Sequence, residues 1–227
     1  MPFLAPNIVK DIPLVFLVIG VVLSGLWVSN IIYDHGVPQY ISRKVGHGAG
    51  GLAFFGSYLL SSAFWPIIVS AALSLLFLSA RFVKPNTFRG VGGSGRDQKI
   101  MAEVWFPLVA VPVYGVSWLW LKQPAVAVGG LLFMAWGDGI TGLVRSQVYH
   151  RAVKGLWGSL AMFVVCLVIS WVFIEPFWIG AVASLFATVA ERIFGDYGIV
   201  KWADDNWAIP VVSASVMLVL MGLVGII

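Results

Sequence analysis

A chain of 227 residues in which 60% of side chains are apolar and 11% charged has too little polar surface to cover itself in water, where roughly a quarter of residues carry charge. A mean hydropathy of +0.95 points instead to lipid as the surrounding medium. The lone cysteine, Cys166, excludes a disulfide scaffold. The net charge of +4 reports topology in such a chain before it reports nucleic-acid binding, so no nucleic-acid partner is expected.

Apolar stretches long enough to cross a hydrocarbon core fall at about 12–33, 46–64, 65–82, 102–121, 124–146, 156–174, 177–193 and 207–227. An all-α, multi-pass integral membrane protein with eight spans is expected. Seven is the alternative count, because only a tight turn near Phe64-Trp65-Pro66 separates the second stretch from the third, and the seventh is short. The first stretch lacks a small-residue cleavage site and has little positive charge ahead of it, so it reads as a retained helix and not a signal peptide. No linker, repeat or low-complexity segment stands apart, and residues 1–227 read as one helical membrane domain.

With eight spans, Lys10 and Lys122 fall on one side and the other Lys and Arg, of 14 in all, on the opposite side. The positive-inside bias then places both termini outside and the basic connections in the cytoplasm. Most carboxylates gather at the same cytoplasmic ends: Asp34, Asp97, Glu103, Asp138, Glu191, Asp196, Asp204 and Asp205. Topology does not require acids to accompany the cations, so chemistry is expected on that face.

In chain order, the first polar cluster is Arg43-Lys44-Val45-Gly46-His47, at the start of the second span. Arg43 and His47 stand one turn apart on one helix face, aimed at the same aqueous mouth. A snorkelling cation beside a helix-start histidine is the plainer reading. The run from Arg89 to Lys99 is rich in glycine, but no Gly-Lys-Ser/Thr closes it and no strand precedes it, so it is not a Walker loop. A mobile loop able to fold over a nucleotide is expected there.

The sharpest feature is Trp136-Gly137-Asp138-Gly139-Ile140-Thr141-Gly142. Asp138 lies about 10 Å along a helix from Arg145, and a carboxylate at that depth costs about 2–3 kcal/mol unless it has a partner. Gly137 and Gly139 let backbone approach a ligand and allow the helix to break. Mg²⁺ ligation suits the site, because a hard cation that also holds phosphates takes one or two protein carboxylates. A structural pair with Arg145 or a neighbouring span is the alternative. Next, Arg145, His150, Arg151 and Lys154 occupy a stretch without acids that ends in Gly158-Ser159 at the start of an apolar helix. Cations followed by a helix N-terminus form a phosphate site, although a plain positive-inside loop looks the same.

The last cluster is Asp204-Asp205-Asn206-Trp207-Ala208-Ile209-Pro210. One of the polar residues caps the final helix, with Pro210 tolerated in its first turn. The adjacent carboxylates suit a metal contact or a base for an alcohol proton. Glu191 ends the seventh span facing the same loop, with Lys201 or the surroundings of Arg192 as a structural alternative.

These pieces, in this order, resemble the membrane-embedded, CTP-dependent polyprenol kinases, the dolichol kinase and phytol kinase family, which is related to the phosphatidate cytidylyltransferases. The matching residues are Arg43-Lys44-x-x-His47, Gly137-Asp138-Gly139, Lys154, Gly158-Ser159, Glu191, Asp204-Asp205-Asn206 and Pro210. The resemblance implies a kinase that makes a polyprenyl phosphate from CTP and an isoprenoid alcohol. It implies nucleotide binding by Arg43, Lys44, Gly137, Gly139, Lys154, Gly158, Ser159 and Asn206, and Mg²⁺ ligation by Asp138, Asp205 and Glu191. Asp138, Asp204, Asp205 and His47 are then the catalytic candidates, with an Asp of the late pair or His47 accepting the alcohol proton. A cytidylyltransferase acting on a lipid phosphate is the alternative enzyme. A small transporter is the alternative from another class, although transporters show repeats and midplane charges that this chain lacks.

Overall fold

Backbone in lipid has no hydrogen-bond partner but itself, and long apolar runs therefore become helices. The computed structural model describes residues 6–84, 86–92, 101–150, 153–195, 198–200 and 203–227. Helix makes up 79% of the protein, and among the described residues there is no strand, only one isolated bridge that joins Phe194 to Val200. Eight helical segments follow one another among those residues: α1 Ile8–Asp34, α2 Gln39–Ser57, α3 Phe64–Val83, α4 Ala102–Trp120, α5 Pro124–Val148, α6 Leu156–Phe173, α7 Phe177–Ile193 and α8 Asp205–Leu223. Among them, six are long and apolar enough to cross a membrane. The other two are α2, whose apolar character is diluted by Arg43, Lys44, His47 and its glycines, and α7, which has 17 residues.

Two boundaries differ from the sequence reading. Pro38 sits at the N-cap of α2, so the helix begins at Gln39 and carries Arg43, Lys44 and His47 in its interior, not at its start. Hydropathy alone reads this polar end of the helix as its boundary. The break between α2 and α3 comes before Phe64, in a turn that α1 ties down: Asp11 accepts the Ser61 amide at 2.9 Å and the Ser61 hydroxyl at 2.5 Å.

The bundle is built around α5, whose apolar window is 83% buried against 17% for α1. Val126, Leu131, Leu132, Phe133 and Met134 are wholly enclosed, with α2, α6 and α8 packed against this helix. On the periphery, Phe16, Leu17 and Trp27 of α1 and Val164, Val168 and Trp171 of α6 are exposed, as side chains that face lipid are. The glycines of α5 do not break it. Instead a π-helical turn, Phe133–Gly137, leads directly into Asp138, and a second, Tyr114–Trp120, ends α4. Turns of this kind re-aim the face that follows and recur at functional sites.

At the end of the bundle opposite Asp11, the segment before the glycine-rich run is stitched across α1 and α2. Gly90 donates its amide to the Asn30 side chain at 2.9 Å, Ser42 donates its hydroxyl to the Gly90 carbonyl at 2.8 Å, and Gln39 donates to the Arg89 carbonyl at 2.9 Å. Arg89 adds a two-pronged pair with Asp34, which raises the guanidinium pKa above its usual value through that hydrogen bond. Arg89 to Gly92 is therefore a packed strap, in contrast to the expected mobile loop. The rest of that run, Gly93 to Lys99, lies outside the described residues, as do Arg151, Asp196, Lys201 and Trp202.

Candidate functional site

Three helices bring three carboxylates to the same end of the bundle: Asp138 from α5, Glu191 from the last turn of α7 and Asp205 from the first turn of α8. One oxygen from each lies within 4.8 Å of the others, with Asp138 and Glu191 buried and Asp205 half-buried. Each carboxylate meets a cation from another element. Lys44 of α2 reaches Asp138 Oδ2 at 2.7 Å and donates to the Asp138 carbonyl at 3.0 Å. Arg145 pairs with Glu191. Lys154 lies 3.3 Å from Glu191 Oε1 and 3.2 Å from Asp205 Oδ2, and also donates to the backbone carbonyls of Glu191 and Phe194. Burying this many charges is tolerable because each is met by an opposite one; an unpartnered charge would cost several kcal/mol.

For Asp138 the pairing is the neighbouring-span alternative and not the Arg145 one. Asp138 takes its cation from α2, because Arg145 stands about 10 Å further along the same helix. Glu191 takes Arg145 and Lys154 among the described residues. Thr141, which the sequence reading does not single out, donates its hydroxyl to the Asp138 carbonyl at 2.7 Å, with Asp138 Oδ1 also in reach at 3.1 Å. Its position three residues after Asp138, on the same helix face, is the signal that could have found it.

His47 joins the cluster from α2. Arg43 Nε donates to His47 Nε2 at 3.3 Å, and a guanidinium only donates, so Nε2 is the accepting nitrogen and Nδ1 carries the hydrogen. Nδ1 stands 3.5 Å from Asp138 Oδ2, and the ring lies against Phe106 of α4 at a centroid separation of 4.6 Å. Beside His47 opens a groove between α1, α2, α3 and α4.

Asp204 caps α8, accepting the Asn206 amide at 2.8 Å. Burial, and next the charge of Asp205, push its carboxyl up to about 6. The Asn206 side chain is buried, and neither its oxygen nor its nitrogen has a partner among the described residues; the same holds for Glu191 Oε2. Unpaired buried polar atoms are rare in folded proteins and mark places where a ligand can bond.

The Gly158-Ser159 step is placed differently from a free phosphate cradle. The helix α6 starts at Leu156, two residues earlier, so the Ser159 amide already donates to the Gly155 carbonyl at 3.2 Å. Gly158 faces Arg145, whose Nε lies 3.0 Å from where a Cβ would stand, and so gives that side chain room to reach Glu191. Gly137 packs against Cys166 and Met162, whereas Gly139 faces open space.

Gly142 is where Lys44 passes, and a Cβ there would fall on the Lys44 stem. Gly142→Ala is expected to displace Lys44 from Asp138 and to cost about 1–3 kcal/mol as an overpacked site, read by thermal unfolding in detergent. Gly139→Ala, which meets nothing within 4 Å, is expected to leave the unfolding temperature unchanged.

Compared with known proteins, the chain is similar to a phytol kinase of Synechocystis sp., 26% identical over 188 residues that cover 78% of each chain. No family model and no solved structure matches it. That likeness, over a chain whose polar residues converge on one buried acidic cluster, supports a polyprenol and phytol kinase family relationship for this protein.

Proposed function

We propose that the chain is a membrane-embedded kinase that transfers the γ-phosphate of CTP to the hydroxyl of an isoprenoid alcohol. In this reading all eight helices cross the membrane, both termini lie outside, and the site faces the cytoplasm. The observation that carries it is the convergence of Asp138, Glu191 and Asp205 within 4.8 Å, with Lys44, Arg145 and Lys154 bonded to them. The gathering of Arg43, Lys44, Arg81, Arg89, Arg145 and Lys154 at that end, opposite Lys10 and Lys122, supports the orientation.

The donor set fits Mg²⁺: the three ligands offered are carboxylate oxygens, the hard donors this ion takes, and Glu191 Oε2 is buried with no partner among the described residues. Asp138, Glu191 and Asp205 would hold the ion, which would supply positive charge to the triphosphate when bound. The chain's own part is positioning and electrostatics. Lys44, Lys154 and Arg43 turn their donors to the phosphates and stabilise charge developing on the transferred group. The buried amide of Asn206 and the open face of Gly139 line the nucleotide side. When Arg43 swings to a phosphate, His47 Nε2 is freed to take the alcohol proton, and Asp138 steadies the resulting imidazolium at Nδ1. An Asp of the 204–205 pair is the alternative acceptor, for which the raised pKa of Asp204 is suited.

The test is nucleotide diphosphate release from purified protein in lipid discs supplied with phytol, Mg²⁺ and one nucleotide at a time. CDP release that requires both phytol and Mg²⁺, and stops when EDTA removes the metal, is expected. Equal turnover with ATP, GTP and UTP would overturn the assignment of CTP.

A further inference from the structure

The groove beside His47 has one charged end and an otherwise apolar length. On α2 it is lined by Arg43, Gly46, His47, Gly50, Ala53 and Ser57, a stripe at helical spacing that runs about 20 Å from Arg43 to Ser57. At the far end, the Ser57 and Tyr114 hydroxyls bond to each other at 2.6 Å, and Ser57 also donates to the Phe54 carbonyl at 2.6 Å. The Ser57 and Tyr114 hydroxyls are thus satisfied, and Leu60 and Trp65 complete the floor, the Trp65 indole nitrogen having no partner among the described residues. The side wall is partly open. Val18 of α1 and Val69 and Leu73 of α3 line the groove and are only half-buried, so the space communicates with the lipid between these two helices.

We propose that this groove holds the tail of the isoprenoid alcohol, with the hydroxyl at His47 and the tail end against Tyr114, so that the floor sets the chain length accepted. The inference rests on the kinase reading and adds to it the place of the tail and the residues that measure it. Continuity supports this occupant over a bilayer phospholipid: His47 belongs both to the groove lining and to the acidic cluster. A single chain ending in a hydroxyl therefore meets the reacting groups without a further turn. Its mouth is flanked by Arg43, His47 and Glu103, the last already paired with Arg81.

Two substitutions narrow the groove from opposite walls: Ala53→Phe on α2 and Val69→Trp on α3. Each is expected to lower kcat/KM for phytol at least about tenfold relative to geraniol; Ala53 is buried and Val69 half-buried, so the second variant keeps the test alive if the first does not fold. A phytol analogue with a diazirine at the tail end is expected to label peptides containing Leu60, Trp65 or Tyr114. Phosphate transfer by the parent, with the label mapping outside α1 to α4 or with both variants keeping the parental chain-length preference, would overturn the groove assignment. Labelling displaced as well by excess phospholipid as by phytol would also overturn it. Labelling at the floor in a protein that phosphorylates no alcohol would retain the tail site and reject the kinase reading.

Discussion

Asp138→Asn is expected to lower phosphate transfer by a factor of about 10²–10³ while the helix content, read by circular dichroism, stays at the parental level. The carboxylate it replaces is the node of the site, bonded to Lys44 at 2.7 Å, in reach of the Thr141 hydroxyl at 3.1 Å and facing His47 at 3.5 Å. The amide keeps the shape and an acceptor for Thr141. It removes the charge that holds Lys44 in place and that would stabilise a protonated His47, and it is a poor ligand for a hard cation. A variant with parental turnover would remove Asp138 from the site.

Glu191→Gln is expected to be the most destabilising single change in the cluster. Glu191 is wholly buried and shared by Arg145 and Lys154, so the neutral amide leaves two buried cations with one carboxylate, Asp205, between them. Removing one partner of a buried pair costs about 3–5 kcal/mol, and thermal unfolding in detergent should show it, together with loss of turnover. The comparison is Asp34→Asn, which breaks the exposed pair with Arg89. Exposed pairs contribute little, so no measurable change in unfolding is expected there, and an equal loss in both variants would contradict the buried network as the source of stability.

Much of the helix order was legible because the apolar runs end where the helices end, as at Phe177–Ile193. The start of α2 was not, because Arg43, Lys44 and His47 sit inside a helix and hydropathy reads them as its boundary. The carboxylates stood out in the sequence because acids are rare in so apolar a chain. Their partners did not: Lys44 and Asp138 are 94 positions apart, and Arg145 and Glu191 are 46 apart, so only the packing of α5 against α2 and the approach of α7 bring them together. The π-helical turn before Asp138 has no sequence signature, since Phe133–Gly137 is composed like any apolar helix. The length of the groove was equally silent, being lined largely by ordinary apolar side chains that four separate helices bring together.

The central claim is a phosphoryl transfer to a lipid alcohol at the Asp138, Glu191 and Asp205 cluster. Its most direct test follows label from γ-labelled CTP in lipid discs that hold the purified protein, phytol and Mg²⁺. The account predicts label in a prenyl monophosphate, loss of that product in Asp138→Asn, and release of CDP. Release of pyrophosphate with a cytidylylated lipid, or solute flux in liposomes without any labelled lipid, would contradict it.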